Sequence, residues 1–501
     1  MKNLLGKRPY TVFLLPLFFM LHGYWANAGF IAFPDLLWPF SLLLAGNIIL
    51  FLFFWLLLKD ARKAGLITLF CFGFYLFFGA VFDGLRAYSP WRFTYKYSVL
   101  LGSFIVIAII LFVLLFRTKK DLTRATFFTN LLFIIFILAD GLGYINGQFN
   151  KHEYRNTSAA TLLPATTVTP DIYLLLFDEY TGSSTLKQCF DFDNSPLDSF
   201  LSNKGFHLIP GSRSNYESTA HSMASMLNMD YVKRRKKGNG SMREELIDCG
   251  IAIRNNKVIS FLDNIGYEII NYSTFDLANH PARVKQDFIP VSTRLIMEET
   301  LLYRLSNEFK WYIKQYPVLV KILPVTTLEE KSHQSAKTVQ LTCRESASKS
   351  NKPKFVYSHF MIPHWPFLYD AKGNRQPEIS LLNGSTIKDS AAPYLKYLEY
   401  GNLQIRKLVD SIQINTQNKA VIILMSDHGF RGINVPEYHY IKFQTLNAVY
   451  LPNKNYGQWN DSVTNVNQFR ILFNTLFDQQ NKMLNDSFFT IFGGNEGVHG
   501  F

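Results

Sequence analysis

The chain has 501 residues, and its 51 lysines and arginines exceed its 38 aspartates and glutamates, which gives a formal charge of +13. This length is too great for a single ordinary domain. Residues 1–150 carry 13 basic and 5 acidic side chains, so +8 of the charge lies beside apolar segments and +5 in the remainder. The basicity is therefore mainly a signal of membrane topology, and we expect no nucleic-acid partner. Only four cysteines are present, which excludes a scaffold built on disulfides.

Five charge-poor segments lie in the first 150 residues: 10–27, 36–58, 64–82, 97–116 and 125–145. Each approaches or exceeds the ~20 residues that a helix needs to cross a bilayer. The first segment follows Lys2, Lys7 and Arg8 and has the features of a signal peptide, but four further segments follow it, so we interpret it as a retained anchor. The sequence predicts an N-terminal transmembrane domain of five helices.

Basic side chains are concentrated in alternate loops between these segments. They are Lys2, Lys7 and Arg8, then Lys59, Arg62 and Lys63, then Arg117, Lys119, Lys120 and Arg124. The positive-inside rule places the N-terminus in the cytoplasm, and five crossings place everything after residue 150 on the opposite side of the membrane.

The composition and the pattern of the sequence change after residue 145 and again after residue 169. We expect a transmembrane domain over 1–145, a linker over 146–169 that is rich in Thr, Asn and Ala, and an extracytoplasmic α/β domain over 170–501. Predicted strands are 171–177, 267–271, 355–361, 420–425 and the short 448–451, and predicted helices are 198–204, 257–265 and 393–412. Strands that alternate with helices indicate a mostly parallel, helix-flanked sheet. Residues 280–340 permit no assignment.

The run Ala-Val-Ile-Ile-Leu-Met-Ser-Asp-His-Gly, residues 420–429, brings Asp427 and His428 to the end of an apolar strand. A carboxylate beside an imidazole at the carboxyl end of a buried strand suits a divalent metal. The alternative is a solvated aspartate with an incidental histidine.

Two other strands end on residues that could share this site. The strand 171–177 leads to Asp178 and Glu179, oxygen donors that suit cation binding or acid–base work, although an acidic loop is the simpler interpretation. The predicted strand 355–361 contains His359 near its end, and His364 follows it. These histidines could bind a metal or a phosphate group or could be structural.

The stretch from Ser212 to Met229 predicts a helix that begins near Thr219. A hydroxyl at a helix N-terminus lies at the positive end of the helix dipole, which favours an alkoxide nucleophile, particularly with a metal bound. Spacing alone favours simple capping of the helix by Ser218 or Thr219.

Together these motifs resemble the alkaline phosphatase superfamily in its sulfatase-like branch, and within that branch the membrane-bound phosphoethanolamine transferases and lipoteichoic acid synthases. The resemblance extends over most of the chain, because such enzymes have five membrane spans followed by an external catalytic domain. The family's Thr-x-x-Ser-(apolar)-x-x-Met pattern is matched from Thr219 to Met226, which implies that Thr219 is the nucleophile and a metal ligand.

The resemblance also implies the other site residues. Asp178, Asp427 and His428 would be metal ligands, with Glu179 as an alternative to Asp178. His359 and His364 would bind substrate, His364 would also be catalytic, and His439 would orient phosphate or exchange a proton. The implied cofactor is one or two divalent ions, Zn or Mn.

The implied reaction moves a phospholipid head group, of the phosphoethanolamine or phosphoglycerol type, through a phospho-threonine intermediate to a glycolipid or glycan acceptor of the cell envelope. The implied location is a bacterial-type inner (plasma) membrane, with the catalytic domain periplasmic or extracellular. The chain lacks the cysteines that usually flank the threonine in phosphoethanolamine transferases, so the head group stays open. It also lacks Cys/Ser-x-Pro-x-Arg, which disfavours sulfate-ester hydrolysis. The alternatives are a phosphoester hydrolase and a non-catalytic envelope protein.

Overall fold

The chain folds into two compact units, and the first unit contains two separate stretches of sequence. The computed structural model describes residues 2–27, 31, 33–150, 169–232, 242–284, 293–309, 328–376, 386–433, 436–491 and 498–499. Residues 1–155 and 290–327 form the first unit, and residues 156–289 and 328–501 form the second. Of the predicted linker, the part up to Asn150 is helical, and residues 151–168 lie outside the described residues.

The first unit is helical. In the part of this unit that the structure describes, the α-helices are Lys2–Lys7, Thr11–Ala26, Leu37–Leu58, Ala61–Leu76, Phe78–Tyr88, Tyr97–Arg117, Thr123–Asn150, Arg294–Met297 and Leu301–Glu308. Short 3-10 turns precede two of them, at Phe33–Leu36 and Arg92–Tyr95. All five apolar segments predicted from the sequence fall on helices.

The prediction of five membrane spans is one or two higher than the described helices support. Three helices, Phe33–Leu58, Tyr97–Arg117 and Thr123–Ile145, are long and apolar enough to cross a membrane. A fourth span results if Ala61–Leu76 and Phe78–Arg86, which are bent by 59°, count as one. Thr11–Ala26 has only 16 residues, which is shorter than the ~20 that span the hydrocarbon core.

The break in the bent helix is stabilised by a chain segment more than two hundred residues away. The freed backbone N–H of Gly79 donates to the carbonyl of Glu299 at 2.8 Å. A Cβ at Gly79 would lie 2.5 Å from Glu299 Oε2, so a larger residue at this position would have to displace the end of the Glu299 side chain. Arg304 donates to Asp83 at 2.7 Å and holds the same segment in place. The residues around 293–309 are therefore part of the helical unit.

The second unit is built on a six-stranded sheet. Its strands are β1 (Ile172–Phe177), β2 (His207–Leu208), β3 (Glu268–Tyr272), β4 (Lys354–Phe360), β5 (Val421–Met425) and β6 (Asn447–Tyr450), in the order β2-β6-β5-β1-β4-β3. The four strands β5, β1, β4 and β3 are parallel, whereas β6 is antiparallel to β5 and β2 is antiparallel to β6. The predicted mostly parallel sheet is confirmed. A small hairpin of β7 (Phe488–Phe489) and β8 (Val498–His499) lies apart from it.

Both faces of this sheet are buried, which explains why its strands are continuous apolar runs and do not alternate with polar residues. All six residues of β1 are buried. Tyr173, Leu175 and Phe177 belong to one hydrophobic core, and the alternate residues of the same strand belong to the core on the opposite face.

Helices flank the sheet. They are Ser183–Phe190, Ser195–Asn203, Thr219–Asn228, Met242–Arg254, Lys257–Asn264, Leu328–Ala347, Ile387–Ser390, Ala392–Asn415 and Gln468–Phe477, with 3-10 turns at Pro436–Phe443 and Asn465–Asn467. The predicted strands and helices agree with these elements to within a few residues at their ends. The sequence did not indicate β2, β7 and β8, each only two residues long, or the helices Ser183–Phe190, Met242–Arg254, Leu328–Ala347, Ile387–Ser390 and Gln468–Phe477.

Candidate active site

Three neighbouring parallel strands end at the same edge of the sheet. Asp178 follows β1, and Asp427 and His428 follow β5 on one side of it. On the other side the register pairs Leu176 of β1 with His359, the penultimate residue of β4. Because β1 is the central strand of the three, its terminal aspartate lies between the groups that the two neighbours contribute.

The four side chains form one buried cluster. His359 Nε2 lies 3.3 Å from Asp178 Oδ2, and His428 Nε2 lies 3.6 Å from Asp178 Oδ1 and 3.3 Å from Asp427 Oδ2. Asp178, His359 and Asp427 each offer one ligand atom, and these atoms lie within 4.8 Å of one another. None of the four side chains exceeds 1% exposure, so water does not screen their charges.

The hydrogen bonds of the cluster leave several acceptor atoms close to one another. His428 Nδ1 lies 2.9 Å from the carbonyl of Gly429, which only accepts, so Nδ1 carries the proton and Nε2 presents a lone pair. Among the described residues, Asp178 Oδ1 and Asp427 Oδ2 have no hydrogen-bond donor although both atoms are buried. Two carboxylate oxygens and an imidazole lone pair repel one another unless a proton or a metal cation lies between them.

This donor set fits a divalent cation. Carboxylate oxygens and imidazole nitrogens are ligands that Zn²⁺ accepts, and Mn²⁺ is suited by carboxylates with imidazole. Asp178, Asp427, His428 and His359 would hold the ion. The carbonyl of Gly429 fixes the tautomer of His428 by accepting from Nδ1. A metal-binding histidine commonly has its free nitrogen oriented toward the metal by such a hydrogen bond on the other ring nitrogen.

The ionisation of the cluster follows from its burial. Burial raises the pKa of Asp178 well above its ordinary value, and the nearby negative charge of Asp427 adds to the shift. Burial also lowers the pKa of His359 to about 4 and the pKa of His428 well below its ordinary value. Without a cation, burial therefore favours the protonated form of Asp178 and the neutral forms of both imidazoles.

We expect metal binding to release about one proton, because a carboxylate must lose its proton to become a ligand. The neutral histidines release none, so Asp178 is the source. The apparent affinity should then rise as the pH rises, by up to about tenfold per pH unit. Calorimetric titration of the metal-stripped full-length protein, in two buffers of different ionisation enthalpy, measures the proton directly. Equal binding heats in the two buffers would contradict this assignment.

Thr219 stands beside the cluster at the start of a helix. Its Oγ1 lies 3.1 Å from His428 Nε2, and it is the first residue of the helix Thr219–Asn228. Ser218 is the N-cap residue, as the spacing predicted, but its side chain makes no capping hydrogen bond to the helix. The Thr219 hydroxyl instead meets both the positive end of the helix dipole and the cluster.

A buried polar network fixes the end of β5 relative to this helix. Ser222 Oγ donates to the backbone carbonyl of Asp427 at 2.6 Å, and Asn465 Nδ2 donates to the same carbonyl at 3.0 Å. Ser222 lies one turn after Thr219, so the network connects the helix Thr219–Asn228 with the end of the strand that two cluster residues follow.

Glu179 and His364 lie in a second group beside the cluster. Glu179 has φ of 65°, and its carboxylate accepts from the backbone N–H of Arg431 at 2.8 Å. Arg431 Nη2 lies 3.1 Å from His364 Nε2, and His364 Nε2 lies 3.9 Å from Glu179 Oε2. The structure therefore brings His364 and Glu179 together through Arg431, a residue that the sequence did not single out, although it follows His428 by only three positions.

His439 is placed apart from these groups. It lies in the 3-10 turn Pro436–Phe443 and is exposed. Among the described residues, no hydrogen bond or ion pair joins it to the cluster, and its role in substrate binding stays a prediction.

Gly429 is required where the chain turns after His428. A Cβ at this position would lie 2.0 Å from the carbonyl oxygen of Ile441 and 2.5 Å from that of Gln444, and neither backbone atom can yield easily. We expect Gly429→Ala to lower the free energy of unfolding by roughly 3 kcal/mol and to distort the site. Thermal unfolding of the full-length protein in detergent measures the change. Gly457→Ala is the control, because its Cβ would meet nothing nearer than 3.7 Å, and equal stability of the two variants would refute the argument.

The fold is that of an enzyme of the alkaline phosphatase superfamily. A model of the sulfatase family matches residues 194–489, which is more than half of the chain, and the chain belongs to this family. The expected α/β catalytic fold is thereby confirmed.

Solved structures with a similar fold have low sequence identity to this chain. The C-terminal periplasmic domain of EcEptC from Escherichia coli, in complex with Zn, is 8% identical, with a TM-score of 0.41, over 68% of this chain and 93% of that one. The soluble domain of lipooligosaccharide phosphoethanolamine transferase A from Neisseria meningitidis is 12% identical, with a TM-score of 0.37, over 63% and 90%. A 2-O glycosaminoglycan sulfatase, BT1596, is 10% identical, with a TM-score of 0.39, over 64% and 77%. The comparison with curated proteins finds no match.

Proposed function

We propose that this protein is a metal-dependent membrane phosphotransferase that moves a phospholipid head group to an acceptor in the cell envelope through a phospho-threonine intermediate. One observation carries the proposal: the Thr219 hydroxyl lies at a helix N-terminus, 3.1 Å from His428 and beside two buried carboxylate oxygens that have no hydrogen-bond donor among the described residues. A hydroxyl in this environment is activated as a nucleophile.

The reaction has two displacements at phosphorus. In the first, Thr219 Oγ1 forms a bond to the phosphorus of the donor lipid, the bond from phosphorus to the glycerol oxygen breaks, and a diacylglycerol-type alcohol leaves with a proton. In the second, a hydroxyl of a glycolipid or glycan attacks the same phosphorus and releases Thr219. A bound divalent ion would lower the pKa of the Thr219 hydroxyl and neutralise charge on the transferring group.

Two side chains beside the cluster are suited to the phosphate oxygens. Arg431 offers guanidinium N–H donors, and 27% of its side chain is exposed, so a substrate can reach it. His364 lies 3.1 Å from Arg431 and would orient the phosphate group or exchange a proton with a departing or attacking hydroxyl. His359, which the sequence predicted as a substrate-binding residue, would instead join the metal donors, and its Nε2 lies 3.3 Å from Asp178 Oδ2.

The apolar helices of the first unit support a membrane location, where a lipid donor is available. We place the N-terminus in the cytoplasm and the catalytic domain outside, in a bacterial-type inner membrane, because the basic loops alternate as the positive-inside rule requires.

Peptide-mass analysis of the full-length protein after incubation with metal and mixed phospholipids tests this function. We expect an adduct on the peptide that contains Thr219, and its mass distinguishes phosphoethanolamine, phosphoglycerol and bare phosphate. Ser218→Ala is the control for the adjacent hydroxyl and should retain the adduct. An adduct that persists in Thr219→Ala would refute the intermediate. Bound metal without any adduct would favour a phosphoester hydrolase, in which water replaces the acceptor.

A further inference from the structure

A buried ion pair joins the turn that leads to Thr219 with a second turn of the catalytic unit. Lys442 Nζ lies 2.9 Å from Glu217 Oε2, and the two side chains are 11% and 0% exposed. Glu217 precedes Thr219 by two residues, and Lys442 belongs to the 3-10 turn Pro436–Phe443. The sequence singled out neither residue, and neither has a part in the chemistry proposed above.

The backbone of Lys442 makes a second connection, to the turn that follows His428. The carbonyl of Lys442 accepts from the N–H of Gly429 at 2.7 Å. This is the same glycine whose Cβ would lie 2.0 Å from the carbonyl oxygen of Ile441, so its turn is in close contact with the 3-10 turn. Lys442 therefore contacts both parts of the site: its ammonium group contacts the turn before Thr219, and its carbonyl contacts the residue after His428.

The other oxygen of the Glu217 carboxylate is also held. Glu217 Oε1 accepts from the backbone N–H of Ile491 at 2.9 Å, in the segment that follows β7. Next to this bond, the ring of Phe489 stacks on the ring of Tyr216, with 5.0 Å between the centroids. The turn is therefore fixed by contacts on both sides of Glu217, which restricts the backbone that leads to Thr219.

Stability gives little reason for a buried ion pair at this position. An ammonium and a carboxylate lose their hydration when they are buried, and uncharged side chains of similar volume often leave a protein equally stable. A short contact between opposite charges does restrict geometry, because it holds two segments at one separation. A misplacement of about 1 Å at reacting atoms can reduce a rate by about a hundredfold, so such a restriction matters beside a nucleophile.

We propose that Glu217 and Lys442 are positioning residues that set the distance of the Thr219 hydroxyl from the metal cluster. The distance that they set is the 3.1 Å between Thr219 Oγ1 and His428 Nε2. The pair acts through the two turns that it connects and does not touch the transferring group. The inference rests on the proposed function, because it takes Thr219 as the nucleophile.

A double-mutant cycle in the full-length protein tests the pair. The variants are Glu217→Gln, Lys442→Met and their combination, and the assay follows the release of diacylglycerol from mixed phospholipids with Zn²⁺ present. We expect each single variant to lower kcat about tenfold and to change KM less than twofold. The combination should lose no more than either single variant, because both substitutions remove one contact. It also leaves no buried charge without its partner, so it is the variant to use if a single one fails to fold.

Three results would overturn the proposal. One is an unchanged kcat in the double variant, and another is a loss in the double variant that equals the product of the two single losses. The third is a raised KM in Lys442→Met that Glu217→Gln does not share, because the lysine would then contact the substrate itself.

The matched control is the combination of Glu345→Gln with Lys354→Met. These side chains also form a buried pair, at 3.4 Å, and are 13% and 3% exposed. Lys354 is the first residue of β4, whereas His359 lies near the opposite end of that strand, so we expect the control to keep its kcat. An equal fall of kcat in the control would show that the loss of any buried pair lowers the rate, and would refute positioning.

Hydrogen exchange separates failure of this inference from failure of the proposed function. We expect exchange in the peptide that covers residues 213–222 to increase at least about threefold in the double variant, because the turn loses one of its contacts. Unchanged exchange there would overturn the connection between the two turns. Absence of a Thr219 adduct in the wild type would refute the proposed function, and the exchange of this peptide would still decide whether the pair holds the turn.

Discussion

Thr219→Ala is expected to reduce turnover by at least about a thousandfold, because the variant lacks the only atom that can form the phospho-threonine bond. Metal binding should change little, since Asp178, His359, Asp427 and His428 keep their side chains. The measurement combines the rate of lipid head-group transfer with the metal content of the same purified sample.

Thr219→Ser is the matched variant, because it keeps the hydroxyl and removes only a methyl group. We expect it to retain turnover within roughly tenfold of the wild type and to carry the adduct. If the alanine variant keeps its activity, Thr219 is not the nucleophile. If both variants lose activity equally, the threonine is needed for its shape and not for its oxygen.

Asp427→Asn is expected to weaken metal binding by at least about a hundredfold and to abolish turnover with it. Asp427 Oδ1 accepts from the backbone N–H groups of Glu179 and His428, at 3.2 and 2.9 Å, and an amide oxygen can continue to do so. The amide nitrogen then takes the place of Oδ2, 3.3 Å from His428 Nε2, and donates to the lone pair that would otherwise face a cation.

The folded state should therefore survive in this variant although the metal does not bind. Thermal unfolding with and without added metal separates the two effects: the ion should raise the unfolding temperature of the wild type and leave that of Asp427→Asn unchanged. Asp461→Asn, at an exposed position, is the control for the same chemical change. A normal metal response in Asp427→Asn would exclude Asp427 as a ligand.

Much of the catalytic fold follows from the sequence, because a strand that is buried on both faces must be a continuous apolar run. Such runs place Asp178 and Asp427 at strand ends, and the helix that begins at Thr219 shows in its small residues and methionines. Which strands are neighbours does not follow, since pairing depends on packing between distant segments. The proximity of His359 to Asp178 comes from the register of β4 on β1, and no local pattern records that register.

Local conformation accounts for other differences between prediction and structure. The sequence alone does not distinguish Asp178 from Glu179 as a metal ligand. The left-handed backbone at Glu179 directs the two side chains apart, so the Glu179 carboxylate contacts Arg431 while Asp178 joins the cluster. Hydropathy also reports the composition of a segment and not its continuity. Hydropathy therefore predicts one continuous span over residues 64–82. In the structure one helix ends at Leu76 and a second helix, which is bent relative to the first, begins at Phe78.

The hydrogen bond from Gly79 to Glu299 has a consequence for how this protein can be divided into fragments. Leu295 and Ile296 are buried, and Glu299 and Arg304 bond to the helical unit, although all four lie far beyond residue 169 in the chain. A fragment that begins at residue 169 contains this segment without the helices that cover it, so the apolar side chains of Leu295 and Ile296 would be exposed to water. The order of the residues along the chain is therefore a poor guide to expression boundaries, and a fragment that includes residues 293–309 should also include the N-terminal helices that this segment contacts.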